Sequence, residues 1–421
     1  MINLTKKYSS AVRQNVHMWI NKMQEVDILV GIPCYNCEDT ISHVVTTSAE
    51  GLKKHYPDKK CAVFVSDGGS LDDTREKAYS APIPEGVERR VTIYRGTPGK
   101  GTAFRAIFEV ARLLKADATV VVDADLRSIT PEWVKLLADP IINKQAGFVA
   151  PLYLRHKYDG TITNNIVYPL TRALYGSKIR QPIGGDFGFC GDLAAYYVGE
   201  DVWESDVARF GIDVWMTTTA FNEGYKIVQA HLGTKVHNAK DPAADLGPMF
   251  RQVISTLYYL MSKYESHWKH VEKTVEVETL GKSTEVTKIE PVSVNFTKLL
   301  AEFGDGFEQF EPFYEQILGS ENFNHLYDVS IEFNKTGEIH FPADLWARIL
   351  YDFAFTYNKW QRNRRRLVDM LTPLYFGRTA AYCSEVKEKD STEAEEVIEL
   401  QAKEFEKQKP YLIQKYQKHT E

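Results

Sequence analysis

Short β-branched runs alternate with stretches of helical periodicity through the first half of the chain, and this alternation constrains the fold more than any other feature. The runs read as strands bounded by turn or acidic residues, and they occupy residues 27–33, 61–66, 91–95, 118–122 and 147–152. Between two of them, apolar residues recur at helical spacing from Ala103 to Leu114. Parallel strands need crossovers of about a dozen residues or more, usually helices. The pattern therefore predicts an α/β fold with a mostly parallel sheet over residues 27–246.

Beyond about residue 247 the strand-like runs thin out and aromatic-rich helical stretches replace them. Residues 252–264 and 345–366 are predicted to be helices whose apolar stripes pack in a core. An exposed excursion is predicted near residues 271–291, and the charged tail from 384 is predicted to be a helix or partly frayed. The sequence thus predicts three parts, which are a helical extension (1–26), the α/β part (27–246) and a mainly helical part (247–421).

Composition narrows the class of protein. The 421 residues carry 51 basic and 57 acidic side chains, a net charge of −6, with 43% hydrophobic and 26% charged residues. These values are typical of globular domains and exclude a disordered, collagen-like or disulfide-scaffold chain. Nucleic-acid binding needs clustered positive charge, and the one basic cluster, at residues 362–366, is better explained as a solvated helix face or a subunit contact. We expect no nucleic-acid partner.

Compartment signals are weak but consistent. No run approaches the roughly eighteen apolar residues that a membrane span requires, and residues 1–22 lack the apolar core of a secretory signal. Five cysteines, an odd and sparse set, suit a reducing compartment. We expect a cytoplasmic protein without a membrane span. Cys34 and Cys37 form a C-x-x-C pair that we interpret as incidental, with redox or metal use as the less favoured alternative.

Polar signatures follow four of the predicted strands. In open α/β sheets, ligands bind beyond the carboxyl ends of the strands. The relevant segments are residues 31–38, 66–74, 96–101 and 123–125. Each one alone is a weak signal.

The segment after the fourth strand is Asp123-Ala-Asp125. Two carboxylates at this spacing can reach one hard divalent cation that also binds phosphate, or they can end in structural salt bridges. The turn Gly99-Lys-Gly101 at a helix start suits a diphosphate or a carboxylate. Asp67 could accept from a ribose hydroxyl or a base N–H, or it could stabilise its own turn.

Taken in order, the segments 32–38, 67–70 and 123–125 resemble those of the GT-A nucleotide-sugar glycosyltransferases of family 2 type. The segments 99–101, 181–186, 211–213 and 235–237 are further similar to the retaining mannosylglycerate, glucosylglycerate and glucosyl-3-phosphoglycerate synthases. The resemblance covers about residues 27–261 and is weaker beyond Pro342. It implies a Rossmann-like GT-A domain with a mostly helical C-terminal region.

The resemblance also implies roles for individual residues. Asp125 and His237 would ligate Mg²⁺ or Mn²⁺, with Asp123 orienting ribose or metal-bound water. The implied nucleotide-sugar contacts are Pro33, Tyr35, Glu38, Asp67, Lys100, Asp123, Ala124, Gln181, Ile183 and Gly184. The implied catalytic residues are Asp213, Asp186 and Lys100. The implied acceptor-binding residues are Arg155, Asp159 and Thr163, and the basic neighbours His156, Lys157 and Arg180 leave room for a phosphate on the acceptor.

The expected reaction is transfer of glucose or mannose from a GDP- or UDP-sugar to D-glycerate with retained anomeric configuration. The alternative acceptor is 3-phosphoglycerate. Front-face attack is implied, and a covalent intermediate through Asp213 or Asp186 stays open. A homo-oligomer is expected. Two other classes fit less well, because a nucleotidyltransferase opens with a glycine-rich, Arg-containing loop that is missing here, and a non-catalytic sensor or scaffold would not need the intact carboxylates and His237.

Overall fold

A computed structural model describes residues 8–237, 247–282, 289–360 and 362–418. The chain forms two compact units. We call residues 1–154, 181–238 and 277–289 the sheet unit, and residues 155–180, 239–276 and 290–421 the helical unit. This division differs from the sequence-based boundaries, which placed 155–180 in the α/β part and 277–289 in the helical part. Residues 283–288 of the predicted excursion and 238–246 lie outside the described residues.

The sheet unit contains one eight-stranded sheet in the order β3-β2-β1-β4-β6-β5-β7-β8. The strands are β1 (Ile28–Cys34), β2 (Cys61–Asp67), β3 (Val87–Ile93), β4 (Ala118–Val121), β5 (Phe148–Leu154), β6 (Phe187–Cys190), β7 (Ile227–Thr234) and β8 (Thr279–Leu280). All neighbouring pairs are parallel except those of β6, which runs antiparallel to β4 and β5. The predicted mostly parallel sheet is confirmed. Strands β6, β7 and β8 were not among the predicted strands.

Both units contain helices. They are α1 (Gln14–Met23), α2 (Ile41–His55), α3 (Thr74–Ser80), α4 (Lys100–Leu113), α5 (Pro131–Ile142), α6 (Tyr168–Tyr175), α7 (Gly191–Gly199), α8 (Ile212–Asn222), α9 (Gly247–Lys263), α10 (Glu265–Trp268), α11 (Phe296–Ile317), α12 (Ser320–Thr336), α13 (Ala343–Lys359), α14 (Arg364–Glu385) and α15 (Ser391–Gln417). A π-helical turn, Thr163–Val167, precedes α6 and a short 3₁₀ turn, Asp206–Ala208, precedes α8.

Helix α4 lies directly against the centre of the sheet. A Cβ on Gly31 of β1 would stand 2.4 Å from Ile107 Cγ2, so a larger residue would push the helix off the strand. The rest of its apolar stripe, including Phe104 and Phe108, is fully buried. This close packing fixes the N-terminus of α4, and with it Lys100, beside the carboxyl ends of the strands.

Ion pairs as well as apolar packing stabilise the helical unit. Arg172 of α6 pairs with Glu399 at 2.6 Å and with Glu406 at 2.9 Å, both on α15. The tail is helical rather than frayed, and Asp390 caps α15 in a capping box with Glu393. The predicted helix over 345–366 is two helices, because Asn363 adopts a left-handed conformation at φ 58°. Across the described residues, no helix is both long and apolar enough to cross a bilayer.

Candidate functional site

The carboxyl ends of β4 and β7 are joined although two strands separate them in the sheet. The backbone N–H of Arg127 donates to the carbonyl of Val236 at 2.9 Å, and the N–H of Val236 donates to Ser128 Oγ at 2.9 Å. On the other side, Thr40 Oγ1 at the start of α2 donates to the carbonyl of Ala124 at 2.8 Å. These bonds fix the 123–125 turn and bring His237 next to it.

Asp125 and His237 form a pair, with Asp125 Oδ2 3.9 Å from His237 Nδ1. Burial raises the pKa of Asp125, and the neighbouring charge of Asp123 adds to this rise. Among the described residues, no three His, Cys, Asp or Glu side chains converge to hold a metal by themselves. Mg²⁺ in proteins commonly uses one or two carboxylates and completes its shell with substrate phosphates. The pair fits a divalent ion that is shared with a phosphate-bearing ligand.

Next to this pair, five charged side chains alternate in sign, and we call them the charge chain: Asp213, Lys100, Asp123, Lys235 and Asp186. Lys100 Nζ lies 3.2 Å from Asp213 Oδ2 and 2.9 Å from Asp123 Oδ1. Lys235 Nζ lies 3.0 Å from Asp123 Oδ2 and 2.9 Å from Asp186 Oδ2. Asp123 is therefore held by one ammonium on each carboxylate oxygen.

Electrostatics in the charge chain favour ionised groups at its centre. Burial by itself would raise the pKa of Asp123, but Lys100 and Lys235 outweigh it and hold that pKa well below its usual range. Burial would likewise lower the pKa of Lys100, and Asp123 and Asp213 instead raise it. With Asp125 included, four carboxylates face two ammonium groups. Two negative charges stay unbalanced if all four ionise, and a divalent cation would balance them.

Asp213, at the start of α8, has two carboxylate oxygens in different environments. Burial raises the pKa of its carboxyl. Oδ2 contacts Lys100, whereas Oδ1 is buried without a hydrogen-bond partner among the described residues. A buried unsatisfied oxygen is costly, so it is suited to accept a hydrogen bond from a bound ligand. The catalytic role that the resemblance implied for Asp213 stays a prediction.

Asp186 has hydrogen-bond partners within the fold on both carboxylate oxygens. It is fully buried, its Oδ1 accepts from the backbone N–H of Asp123 at 2.8 Å, and its Oδ2 accepts from Lys235 and from the hydroxyl of Tyr153. Both oxygens have partners inside the fold, so Asp186 orients Asp123, and its predicted catalytic role stays a prediction.

Gln181 is also directed inward. Its carboxamide accepts from the N–H of Tyr153 and donates to the carbonyl of Tyr153, both at 3.1 Å. Both ends of its side chain pair with strand β5, and the predicted nucleotide-sugar contact of Gln181 stays a prediction. The half-buried Ile183 and the backbone of Gly184 are what the 181–186 loop presents beside the charge chain.

Gly185 is required where this loop passes Asp123. Its φ is +88°, and a Cβ there would stand 2.0 Å from Asp123 Oδ2. An alanine would meet both the steric penalty of the left-handed region and this collision. Glycine thus lets the loop backbone approach the 123–125 turn.

Residues after β1 and β2 lie at the same end of the sheet, as predicted. Pro33 is buried within β1, and the Tyr35 side chain is 57% exposed. Glu38 Oε2 accepts from the N–H of Asp73 at 3.2 Å. Asp67 is fully buried and accepts from the N–H groups of Gly69 and Ser70, at 2.8 and 3.0 Å. Asp67 therefore stabilises its own turn, which is the alternative that the sequence left open.

The predicted acceptor residues lie together at the start of the helical unit. Arg155 Nη1 is 3.8 Å from Asp159 Oδ2, and Thr163 begins the π-helical turn. Two of the basic neighbours, Lys157 and Arg180, already have hydrogen-bond partners within the helical unit. Lys157 Nζ donates to the carbonyls of Val386, Lys387 and Lys389 at 2.8, 2.7 and 2.6 Å. Arg180 pairs with both carboxylate oxygens of Glu395, at 2.8 and 2.9 Å.

Sequence reasoning gave no role to Lys235 or Tyr153. Lys235 was noted only as part of the segment around His237, yet its side chain is 3% exposed. A lysine directly after an apolar strand is a signal of a buried ion pair. Tyr153 directly follows the predicted apolar run 147–152, and nothing in the sequence distinguishes it from a core aromatic.

Comparisons with known proteins agree with this architecture. Residues 29–197 match the family model described as glycosyl transferase family 2. This segment contains Lys100, the 123–125 turn and Asp186, and ends before Asp213 and His237. The eight-stranded sheet with its turn of paired carboxylates is a GT-A, Rossmann-like fold with a helical C-terminal region. No curated protein sequence matches the chain.

Similar solved structures come from mycobacteria. Glucosyl-3-phosphoglycerate synthase from Mycobacterium tuberculosis in complex with Mg²⁺ and UDP is 24% identical over 60% of this chain and 85% of that chain, with a TM-score of 0.45. The same enzyme with Mn²⁺, UDP-glucose and phosphoglyceric acid is 23% identical over the same shares, with a TM-score of 0.44. A further mycobacterial protein is 26% identical over 60% of this chain and 79% of that one, with a TM-score of 0.44.

Proposed function

We propose that this protein is a metal-dependent hexosyltransferase that moves a hexose from a nucleoside-diphosphate sugar to a hydroxyl group of a glycerate-type acceptor. The observation that carries the proposal is the Asp125–His237 pair beside the charge chain, at the carboxyl ends of the strands. The family match over residues 29–197 supports glycosyl transfer as the chemistry. The predicted cytoplasmic location and homo-oligomer stay predictions.

Each group around the pair has a distinct task in this proposal. Asp125 and His237 would hold Mg²⁺ or Mn²⁺, which would supply Lewis-acid stabilisation of negative charge on the nucleoside diphosphate. Lys100, at the N-terminus of α4, places an ammonium and the positive end of a helix near the diphosphate. Asp123 stays ionised between its two lysines and orients the ribose. The exposed ring of Tyr35 offers an apolar surface to the base.

Retention of the anomeric configuration is part of the proposal. Hydrogen bonds hold both oxygens of Asp186 in place, which disfavours its attack on the anomeric carbon. Asp213 Oδ1 is the buried oxygen that accepts a hydrogen bond from the sugar or from the acceptor hydroxyl. We therefore favour attack of the acceptor on the face that the diphosphate leaves, without a covalent intermediate on Asp186.

For the acceptor, Arg155 offers a planar fork that suits a carboxylate, and Asp159 and Thr163 suit hydroxyl groups. D-glycerate and 3-phosphoglycerate share these groups and differ by the phosphate. The phosphorylated acid is the one named for the mycobacterial enzyme, so the test begins with 3-phosphoglycerate. In this chain Lys157 and Arg180 already have partners within the fold, so D-glycerate is tested in parallel.

The experiment measures release of nucleoside diphosphate with Mg²⁺ or Mn²⁺. GDP-mannose, GDP-glucose and UDP-glucose are each paired with each acceptor, with and without EDTA, and product configuration is read by NMR. Acceptor-dependent release that EDTA abolishes supports the proposal and identifies donor and acceptor. Donor binding without transfer to either acid would contradict the acceptor, and no binding of any donor would contradict the whole proposal.

A further inference from the structure

Lys235 contacts two other segments of the sheet unit through one nitrogen atom. Its Nζ lies 3.0 Å from Asp123 Oδ2, 2.9 Å from Asp186 Oδ2 and 2.8 Å from the carbonyl oxygen of Gly184. A lysine ammonium has three N–H donors. These three acceptors can therefore use all of its hydrogen-bonding capacity, which leaves no donor for a ligand.

The three acceptors belong to the two backbone segments that would face the two ends of the donor. Asp123 belongs to the turn that carries Asp125, whereas Gly184 and Asp186 belong to the 181–186 loop, which the proposed function places at the sugar. Gly185 permits the close approach, since a Cβ there would collide with Asp123. The position of Lys235 Nζ therefore sets the separation between the turn and the loop.

Stability alone does not explain a lysine at this position. The side chain is 3% exposed, and removing an ammonium from water has a large cost that a buried ion pair often fails to offset. Apolar replacement of such groups is frequently neutral or stabilising. A compact ammonium differs from a planar guanidinium because its three donors can converge on acceptors from three directions.

We propose that Lys235 is a positioning residue that fixes the sugar-facing 181–186 loop relative to the metal-bearing 123–125 turn. It acts through Asp123 and the carbonyl of Gly184, and it does not touch the substrate. The inference rests on the proposed function. It predicts that loss of Lys235 impairs placement of the sugar more than binding of the nucleoside diphosphate.

The test compares four purified variants with the wild type. Lys235→Met leaves two carboxylates facing each other and can fail to fold, so the double variant Asp186→Asn, Lys235→Met removes one charge of each sign. Asp186→Asn alone keeps Lys235 on Asp123 and Gly184. Lys226→Met is the matched control, because Lys226 precedes the same strand β7 but pairs with exposed Glu278. Thermal midpoint, kcat, KM and the affinities for donor sugar and for nucleoside diphosphate are measured with Mn²⁺.

We expect the double variant to fold and to lose about 10–100-fold in kcat relative to Asp186→Asn, as for other residues that orient ligating groups. Its preference for the donor sugar over the nucleoside diphosphate should fall as well, while Lys226→Met matches the wild type. Equal kcat and equal preference in the double variant and in Asp186→Asn would overturn the role of Lys235. A wild type that binds no donor would overturn the proposed function, and this inference with it.

Discussion

His237 Nδ1 lies 3.9 Å from Asp125 Oδ2, although the two residues follow strands β7 and β4, which are not neighbours in the sheet. Backbone bonds between Arg127 and Val236 bring the two strand ends together. The proposed metal-binding pair therefore depends on the sheet order, with β6 inserted antiparallel between β4 and β5. It is assembled by the fold and does not form within either segment alone.

The first prediction concerns this pair. Asp125→Asn and His237→Ala should each lower kcat by on the order of 100-fold at saturating Mn²⁺, because each removes a proposed metal ligand. Each tenfold step corresponds to a loss of about 1.4 kcal/mol in transition-state stabilisation. The required Mn²⁺ concentration should also rise. Turnover against Mn²⁺ concentration is the measurement, and Asp39→Asn, an exposed carboxylate in a nearby turn, is the control. Near-normal, EDTA-sensitive turnover in a folded variant would remove that residue from the metal shell.

The second prediction concerns Gly185 and has a matched control. Gly185 and Gly224 both adopt positive φ, at +88° and +81°, but a Cβ on Gly224 would meet nothing within 4 Å. Alanine at either position should lower the free energy of unfolding by about 1–2 kcal/mol through backbone strain. Only Gly185→Ala should also lower transfer activity, because it displaces Asp123. Urea unfolding and turnover test this, and equal behaviour of the two variants would show that the collision is relieved without moving Asp123.

Much of the sheet could be predicted from the sequence, because its central strands are β-branched runs long enough to stand out. Strand β6, Phe187–Cys190, has four residues and contains a glycine, so its run is too short to be distinguished from a loop. The position of residues 155–180 depends on distant contacts such as Arg172 with Glu399, and no local pattern encodes these.

In the candidate site, the residue types predicted where the site lies better than they predicted the role of each residue. Asp123 and Asp125 stand where a strand-end ligand site was expected, and the pattern was sufficient for that. The direction of a side chain, however, depends on its three-dimensional neighbours. Asp186 and Gln181 face inward because Lys235 and strand β5 supply their partners, and neither partner is near them in sequence.

The third prediction separates Arg155 from Lys157 in the helical unit. Arg155→Met should raise KM for the acceptor by about tenfold or more, since hydrogen bonds to charged groups contribute about 1.5–3 kcal/mol, while KM for the donor stays unchanged. Lys157→Met should leave acceptor KM unchanged and lower the free energy of unfolding, because three carbonyls just after α14 lose their donor. Steady-state kinetics with both substrates and urea unfolding distinguish the two residues. The reverse pattern would move the acceptor site to Lys157.

The fourth prediction is a pH dependence of stability that originates at Lys409. This lysine is 6% exposed and donates to the carbonyl of Val271 at 2.7 Å. Burial lowers its pKa to about 8, and Glu406 offsets only part of that shift. Below pH 8 the ammonium is charged in both the folded and unfolded states, so its burial cost is fully present. Between about pH 8 and 10 the unfolded chain binds more protons, so this group makes stability rise with pH.

Lys409→Met should remove that rise. The free energy of unfolding of the wild type minus that of the variant should increase from pH 8 to 10, by at most a few kcal/mol at about 1.4 kcal/mol per pKa unit. Buried tyrosines whose pKa is raised, such as Tyr175, lower stability at still higher pH in both proteins, so the difference isolates Lys409. Lys403→Met, an exposed site on the same helix α15, should give a curve parallel to the wild type. Parallel curves for Lys409→Met as well would show that its ammonium is as well solvated as that of an exposed lysine.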